Sequence, residues 1–339
     1  MTITRFLSHI GIRHPSKKII SYLVAVTFMF YIGLYPLMST ITEKRRSLSI
    51  VNAAEENHKI FFKRKKVTAF LFVLVLTGPK NFDRRNAMRS TWLNLTELPS
   101  IGRKFVIGTA DLSSDAEIKL NEEQSQHNDL VYLPNLKDDY SKLTLKLLYA
   151  LTWMNENIEY SFLLKVDDDT FARLDIILQE LNTKYFGLHN LYWGFHRGDA
   201  RVKYAGRWAE LKWKLCDRYL PYALGGGYIL SMKLVQFIAN TSSMLELYNS
   251  EDVSLGAWLS PLKLTRVHDV RFDTEWKTRG CRNVHIISHK QSIQDMHQKF
   301  AQLKNNGKLC ITETSIRPSY IYSWNGPPSQ CCVRRYGIP

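Results

Sequence analysis

Three consecutive carboxylates, Asp167, Asp168 and Asp169, follow the apolar stretch YSFLLKV at residues 160–166. Neighbouring negative charges repel one another unless a cation holds them together. A divalent cation with hard oxygen ligands, such as Mn²⁺ or Mg²⁺, meets that need and suits a phosphate-bearing substrate. The simpler alternative is a helix N-cap at Asp169 or Thr170, because the helical pattern FARLDIILQEL follows. One cap needs only one residue, so the surplus carboxylates favour a metal site.

A second acidic pair, Glu251 and Asp252, begins the stretch EDVSLGAWL directly after Asn249 and Ser250. Asn and Ser are good helix caps, and negative charge is stabilised in the first turn of a helix. The same position would keep Asp252 ionised, as is required of a group that takes a proton from an attacking hydroxyl. The pattern therefore leaves a structural and a catalytic use of this pair open.

The elements that must position these acids alternate between strand and helix patterns. Continuous apolar runs at 67–79, 104–110 and 129–134 are typical of strands buried on both faces, and residues 143–154 carry apolar side chains at helical spacing. This alternation predicts an α/β fold with right-handed crossovers and a mostly parallel sheet. The triplet at 167–169 ends the fourth strand, and such sheets bind ligands at the carboxyl ends of their strands.

The positive charge of the chain is concentrated near its start. The 339 residues carry a formal charge of +15, but residues 1–66 hold twelve Lys or Arg against three Glu, so residues 67–339 keep a surplus of only six. The stretch FFKRKK at 61–66 resembles a polyanion patch, although beside a membrane span a solvated stem is the better interpretation. No zinc finger, basic zipper or RNP signature is present, and we expect no nucleic-acid partner.

Residues 19–38 contain no charged side chain and are long enough, as a helix, to cross a bilayer. A cleaved signal peptide is the alternative, but this run is longer than a signal-peptide core and no small-residue cleavage site follows it. The excess of Lys and Arg before the span predicts a cytoplasmic N-terminus. We therefore expect a tail at 1–18, a membrane anchor at 19–38, a stem at 39–66 and one catalytic domain at 67–339.

The cysteines all lie past the middle of the chain. In an oxidising compartment two disulfides are possible with one thiol left over, and the pairing stays open. No CxxC pair is present, which argues against zinc. Two sequons begin at Asn94 and Asn240 and predict glycosylation sites. The five cysteines are Cys216, Cys281, Cys310, Cys331 and Cys332.

Six blocks of sequence stand in a definite order and spacing: RRNAMRSTW (84–92), KFVIG (104–108), YSKLTLK (140–146), KVDDDTF (165–171), PYALGGGYILS (221–231) and EDVSLG (251–256). In this order and spacing they resemble the β-1,3-glycosyltransferase family of the Golgi apparatus. The resemblance covers about residues 67–300. It implies a GT-A-type, Rossmann-like fold, a UDP-sugar donor, dependence on Mn²⁺ and inversion at the anomeric carbon.

The resemblance also implies roles for individual acids and for one histidine. Asp169 matches the metal ligand of the family. By the same match, Asp167 would lie near the ribose of the UDP-sugar donor, and Asp168 would support Asp167 and Asp169. The family's second ligand is a histidine beyond the EDV block, and His289 matches it. The residues alone would leave His285 as the nearest competitor.

The resemblance further implies that Asp252 is the base and that Glu251 orients it.

Arg85 and Arg89 share one helix face with Trp92 at i, i+4, i+7 spacing. An exposed helix is the ordinary interpretation of that face, but paired guanidinium groups near a metal would bind a diphosphate. Together with Lys146 of LTLK, the two arginines are therefore predicted donor-binding residues.

The acceptor side is less defined by the sequence. Trp193 and Trp208, with Tyr192 and Trp213 as further candidates, offer flat faces for a sugar, although aromatic residues more often pack in a core. The three glycines at 225–227 form either a turn or a close approach to a sugar, and no GK[ST] follows them to make a P-loop.

Relatives in this family usually carry NLTLK where this chain has KLTLK, so the detail of the donor contacts differs here.

Three late segments resemble the branch of the family that builds the linkage between glycosaminoglycans and proteins. This resemblance implies transfer of galactose from UDP-galactose to galactosyl-xylosyl groups on proteoglycan core proteins, by a Golgi membrane enzyme with a lumenal catalytic domain. N-acetylglucosaminyl transfer on the same scaffold is the alternative among enzymes. A silent chaperone or a polyanion-binding membrane protein is the alternative outside them. The segments are RGC (279–281), SHKQSIQDM (288–296) and PPSQCCVRRYGIP (327–339).

Overall fold

The computed structural model describes residues 67–96 and 101–339, together with a few positions between 17 and 29. Lys65–Pro339 forms one compact unit. The predicted stem lies outside the described residues, and so does most of the predicted membrane anchor. Among the helices that are described, none has the length and apolar character needed to cross a membrane.

The centre of the domain is a seven-stranded sheet in the order β3-β2-β1-β4-β7-β6-β8. Strand β7 runs antiparallel to both of its neighbours, and the other pairs are parallel. The predicted α/β fold with a mostly parallel sheet is therefore confirmed. The seven strands are β1 (Val67–Leu76), β2 (Ile101–Gly108), β3 (Leu130–Leu133), β4 (Ile158–Asp167), β6 (Leu191–Arg197), β7 (Tyr222–Ser231) and β8 (Thr265–His268).

A small second sheet, in the order β5-β10-β9, lies after the acidic triplet in the chain. Its strands are β5 (Phe171–Ala172), β9 (Phe272–Asp273) and β10 (Ile287–Ser288). The helices of the described residues are α1 (Phe82–Ser90), α2 (Ser114–His127), α3 (Leu143–Asn157), α4 (Leu174–Thr183), α5 (Met232–Asn240), α6 (Glu251–Leu259) and α7 (Ile293–Asn306).

The sheet separates two hydrophobic cores, because successive side chains of a strand point to opposite faces. In β1, Leu71, Val73 and Val75 belong to one core, while Phe72 and Leu74 belong to the other. The first core receives side chains from α1 and α4, and the second receives them from α3, α5 and α6. The sheet is thus covered on both faces, which explains why β1 is a continuous apolar run.

Candidate active site

The acidic triplet sits where β4 ends, at the carboxyl edge predicted from the sequence. Asp167 is the last residue of β4, and a turn leads from it into β5. Helix α4 begins only at Leu174, with Arg173 at its N-cap position. The alternative considered from the sequence, an N-cap at Asp169 or Thr170, is therefore wrong. Instead, the Thr170 hydroxyl donates to the Gly226 carbonyl at 2.8 Å and fixes the turn to β7.

Asp167, Asp169 and His289 form a group whose ligand atoms lie within 4.8 Å of one another. His289 Nε2 is 3.0 Å from Asp169 Oδ1 and 3.5 Å from Asp167 Oδ2. Asp169 Oδ1 and His289 Nδ1 are buried without a hydrogen-bond partner in the described part of the chain. Carboxylate oxygens suit Mn²⁺ and Mg²⁺, and imidazole completes many metal sites. These residues fit a divalent cation.

His289 reaches this group because the backbone on either side of it is held. Its N–H donates to the Asp273 carbonyl at 3.0 Å, and the N–H of Gln291 donates to the Asp169 carbonyl at 2.7 Å. Ser292 and Asp295 then form the capping box of α7. The competing candidate, His285, is buried outside the metal-binding group.

The middle acid, Asp168, contacts different residues. Its Oδ2 accepts hydrogen bonds from Thr77 Oγ1 at 2.6 Å and from Asn81 Nδ2 at 2.7 Å. Burial raises the pKa of Asp168, although these two hydrogen bonds oppose the rise. Asp168 therefore joins the end of β4 to the loop that follows β1, rather than joining the metal-binding group.

Lys165, two residues before the triplet, is a site residue that the sequence analysis missed. Its side chain is 1% exposed, and its three donor hydrogens have three acceptors. The ammonium donates to Asp167 Oδ1 at 2.9 Å, to the Gly225 carbonyl at 2.7 Å and to Glu251 Oε1. Burial disfavours the ammonium, but Asp167 and Glu251 outweigh it and hold the pKa of Lys165 above its usual range. One lysine thus links the triplet to the EDV block.

The EDV acids begin α6, as predicted, with Ser250 at the N-cap position. Asp252 Oδ2 accepts the N–H of Gly225 at 3.0 Å, and its Oδ1 accepts its neighbour's N–H, that of Val253, at 2.9 Å. Burial raises the pKa of Asp252, while these amides and Lys165 oppose the rise. Glu251 is buried, and its Oε2 has no partner among the described residues. Asp252 is thus held by backbone amides close to an unsatisfied carboxylate.

The glycines at 225–227 are part of β7 and separate the two acidic groups, so they do not form a turn. Gly225 lies between Lys165 and Asp252, as described above. A Cβ on Gly226 would lie 2.5 Å from Cγ of His289, which is closer than a real side chain can pack. The absence of a side chain therefore lets the metal-binding group and the EDV acids approach the same strand.

The charge at this site is strongly negative. Burial lowers the pKa of His289, but the carboxylates of Asp167 and Asp169 outweigh it and raise the pKa to about 9. Such a raised value reports a site that favours a positive charge. The arrangement can hold a cation beside Asp169 while a carboxylate, Asp252, remains on the far side of the glycine segment.

Arg85 and Arg89 do not face the acidic triplet. Arg85 donates to both oxygens of Glu123, at 2.8 and 2.6 Å, and Arg89 donates to Glu123 and to Asp129. Both arginines are buried, and these contacts with further bonds to Gly78 and Asn86 occupy their donors. The predicted grip of these guanidinium groups on a diphosphate does not match this placement. We call the four charged side chains the arginine cluster.

Lys146 lies nearer to the triplet than the arginines do. Its ammonium is buried between the Thr77 carbonyl and Asp138 Oδ2. Thr77 is also the residue whose hydroxyl binds Asp168. Lys146 therefore supports the loop after β1, which in turn holds Asp168.

The predicted acceptor aromatics fall into two groups. Trp193 is fully buried, packs on Phe272 and donates its indole N–H to Asp269 at 3.0 Å, so it has no exposed face for a sugar. Tyr192 and Trp213 are also buried. Trp208 is 37% exposed, and it keeps its candidacy as an acceptor contact.

The cysteine pairing left open by the sequence is resolved in the structure. Cys281 is bonded to Cys310, Cys331 is bonded to its neighbour Cys332, and Cys216 is free and exposed. The predicted glycosylation sites are both exposed: Asn94 ends a short 3₁₀ helix, and Asn240 ends α5.

Comparisons with known proteins identify the family of the chain. The sequence model of the galactosyltransferase family matches residues 83–270. Mouse beta-1,3-galactosyltransferase 6 is 49% identical over 280 residues, which cover 81% of this chain and 86% of the mouse protein. The chain belongs to the galactosyltransferase family. The resemblance seen in its sequence blocks and the prediction of a galactosyltransferase enzyme are therefore confirmed.

More distant relatives share a smaller part of the chain. A UDP-GalNAc:beta-1,3-N-acetylgalactosaminyltransferase 2 of Xenopus laevis is 34% identical over 194 residues, which cover 57% of this chain and 39% of the relative. Among solved structures, Staphylococcus aureus TarS is 17% identical with a TM-score of 0.36, over 59% of this chain and 58% of TarS. The family assignment depends on the sequence matches and not on that structural likeness.

Proposed function

We propose that this chain is an inverting β-1,3-galactosyltransferase of GT-A type that takes galactose from UDP-galactose. Its acceptor is the galactose of galactosyl-xylosyl groups on proteoglycan core proteins, so its product extends the glycosaminoglycan linkage region. The name and identity of the mouse relative support the β-1,3 linkage and the sugar. The late segments of the sequence support the acceptor. The enzyme acts in the Golgi lumen, anchored by residues 19–38 with a cytoplasmic N-terminus.

The observation that carries this proposal is the pairing of two acidic groups across the glycines of β7. Asp169 and His289, with Asp167 beside them, would hold Mn²⁺. When bound there, the ion would supply positive charge to neutralise the donor diphosphate. Asp167 also lies toward the donor, where its position at the strand end suits a ribose contact.

Asp252 is the general base of the proposed reaction. As the acceptor hydroxyl oxygen bonds to the anomeric carbon of galactose, its proton passes to a carboxylate oxygen of Asp252. The bond from the anomeric carbon to the phosphate oxygen breaks, and UDP leaves from the opposite face, which inverts the configuration. Gly225 donates its N–H to Asp252 and accepts from Lys165 at its carbonyl, and Lys165 also donates to Glu251, so these contacts keep Asp252 in place.

The experiment that tests this proposal uses the purified protein with a panel of donors and acceptors. We expect transfer from UDP-galactose to galactosyl-β-1,4-xylosides, with little transfer from UDP-N-acetylglucosamine or to N-acetylglucosaminides. The linkage is checked by NMR of the product. A preference for terminal N-acetylglucosamine, with galactosyl-xylose ignored, would overturn the acceptor but leave the transferase class intact.

A further inference from the structure

A cluster of cations and aromatic rings lies where the loop between β6 and β7 meets the 3₁₀ helix Tyr140–Lys142, and no step of the proposed reaction uses it. Lys203 Nζ lies 4.4 Å from the ring centroid of Trp208, and the Arg207 guanidinium carbon lies 3.4 Å from that of Tyr140. Trp208 Nε1 donates to the Tyr140 hydroxyl at 2.7 Å. Lys142 is exposed in the same 3₁₀ helix as Tyr140. We call these five residues the basic aromatic cluster.

This cluster is fixed to the segment that carries the proposed base. The side-chain amide of Asn249 donates to the carbonyls of Arg207 at 3.2 Å and Ala209 at 3.0 Å. The N–H of Asn249 donates in turn to the buried carboxylate of Glu210. Asn249 lies three residues before Asp252 in the chain. A ligand held on the cluster is therefore held next to the start of α6.

The surface of this loop is cationic. Residues 198–221 contain six Lys or Arg against Asp199, Glu210 and Asp217. Glu210 is buried and binds the backbone N–H groups of Asn249 and Lys212, so it does not screen the exposed cations. Trp208 and Tyr140 each carry a cation of this chain on a ring face, so the rings hold these positive charges at the surface, where they suit an anion.

The loop also exposes apolar side chains. Leu211 is 76% exposed and Leu215 is 58% exposed. Cations interleaved with exposed leucines match a flexible polypeptide that carries carboxylates and some apolar residues. The galactosyl-xylosyl acceptor of the proposed function is uncharged, so anionic groups close to it must come from the polypeptide to which it is attached.

We propose that the basic aromatic cluster binds a carboxylate-rich segment of the acceptor polypeptide, next to the sugar that receives galactose. This inference rests on the proposed function and adds to it a preference for acidic sequence around the glycosylated residue. Binding at the cluster raises the residence of the acceptor beside Asp252 and leaves the chemical step unchanged. Binding at the cluster therefore lowers KM for the polypeptide acceptor, and added salt reduces this effect.

The test compares three acceptors that carry the same galactosyl-xylosyl group. The first is an acidic peptide, the second is the same peptide with Asp and Glu changed to Asn and Gln, and the third is the free disaccharide. With the full chain at low salt, we expect KM for the acidic peptide to be about fivefold below that for the neutral one. In the double variant Lys203→Glu, Arg207→Glu this difference disappears, while kcat on the free disaccharide stays within about twofold.

A matched charge reversal on α7 and just beyond it, Lys304→Glu with Lys308→Glu, should keep the preference, because both lysines are exposed outside the loop. Equal KM for the two peptides in the wild type, or an unchanged preference in the Lys203→Glu, Arg207→Glu variant, overturns the inference. Tighter binding of a sulfated polysaccharide than of the acidic peptide, with loss of that binding in the variant, also overturns it.

Activity on the free disaccharide separates this inference from the proposed function. If no galactose is transferred to it, the proposed function fails, and fluorescence anisotropy with the labelled acidic peptide still tests the cluster. Binding of that peptide to the wild type, weakened by the Lys203→Glu, Arg207→Glu variant and not by the Lys304→Glu, Lys308→Glu variant, supports the surface. Identical binding by all three proteins contradicts it.

Discussion

The arginine cluster and the acidic site at the end of β4 are both buried and charged, but they differ in how completely the protein pairs their charges. In the arginine cluster, Glu123 and Asp129 accept bonds at 2.6 to 3.0 Å from Arg85 and Arg89. At the acidic site, the buried ammonium of Lys165 contacts one acid of the triplet, Asp167, and one acid of the EDV pair, Glu251.

The unpaired atoms show what this difference means. Glu251 Oε2 and His289 Nδ1 have no hydrogen-bond partner among the described residues, and Asp169 Oδ1 has only the ion-pair contact with His289 Nε2, whereas no atom of Arg85 or Glu123 is left unpaired. Leaving buried polar groups unpaired costs free energy, and a bound ion or a catalytic role is one physical reason for a protein to retain them. We therefore propose that the arginine cluster serves stability and that the acidic site serves binding and catalysis.

The largest effect on catalysis is expected at Asp252. Asp252→Asn removes the proton acceptor while its amide can still accept a hydrogen bond from Gly225, so kcat should fall by roughly 10²-fold or more. UDP should still bind, which is measured by calorimetry in the presence of Mn²⁺. Asp115→Asn, at an exposed acid in the first turn of α2, is the matched control and should be unaffected. Near-normal turnover of Asp252→Asn would mean that another group takes the proton.

A smaller effect, shared by both halves of the acidic site, is expected at Lys165. Lys165→Met leaves Asp167 and Glu251 without their common cation, so KM for UDP-galactose should rise and kcat should fall, each by about tenfold. Lys165→Arg should not restore either parameter, because a planar guanidinium cannot reproduce three bonds from one ammonium nitrogen. The measurement is steady-state kinetics with the donor varied.

A double-mutant cycle separates this role from general destabilisation. Glu251→Gln removes the charge that Lys165→Met leaves unpaired, so the double variant should be no worse than the poorer single variant. The pair Lys165→Met with Glu180→Gln is the control and should be additive, because Glu180 pairs with Arg271 and Lys184 instead. Additive losses in both pairs would show that Lys165 does not couple the two blocks.

The least effect on catalysis, with a large effect on stability, is expected in the arginine cluster. Glu123→Gln leaves two buried guanidinium groups poorly paired and should lower the free energy of unfolding by about 3–5 kcal/mol. Turnover below the melting temperature should change by less than about twofold. Glu117→Gln, on the exposed side of the same helix, is the control. If Glu123→Gln lost affinity for the donor while it was fully folded, Arg85 and Arg89 would belong to the donor site.

The same glutamate predicts a pH dependence of stability. Burial raises the pKa of Glu123, but Arg85 and Arg89 outweigh it and hold the pKa below its usual range. The folded state therefore binds fewer protons than the unfolded state, and the stabilisation is present above the unfolded pKa of about 4.3. It is lost as the pH falls through the folded pKa. Unfolding free energies from pH 7 to pH 3 should fall more steeply in the wild type than in Glu123→Gln.

Much of the acidic site was predictable because its residues are local in the chain. The apolar run before Asp167 predicts a buried strand, and the caps before Glu251 predict a helix start. Each pattern places its acids at the end of an element, where side chains meet ligands. His289 depended on the family resemblance, because nothing in its neighbourhood distinguishes a ligand from a packed histidine.

The errors came from contacts between residues distant in the chain. The helix spacing of Arg85 and Arg89 is correct, but it cannot show that Glu123 and Asp129 lie opposite them. Trp193 belongs to a strand with two buried faces, so its ring packs in the core. Lys165 could have been noticed, since a lysine inside a buried apolar strand needs acidic partners.

The central claim is that Asp169 and His289 hold a divalent cation on which donor binding depends. Calorimetry of UDP binding, with and without Mn²⁺, tests this claim most directly when the wild type is compared with Asp169→Ala and Asp175→Ala. Asp175→Ala is the control, because the Asp175 carboxylate pairs with Arg173 and not with His289. We expect Mn²⁺-dependent binding of UDP in the wild type and in Asp175→Ala, and no such binding in Asp169→Ala. Undiminished Mn²⁺-dependent binding of UDP by Asp169→Ala would contradict it.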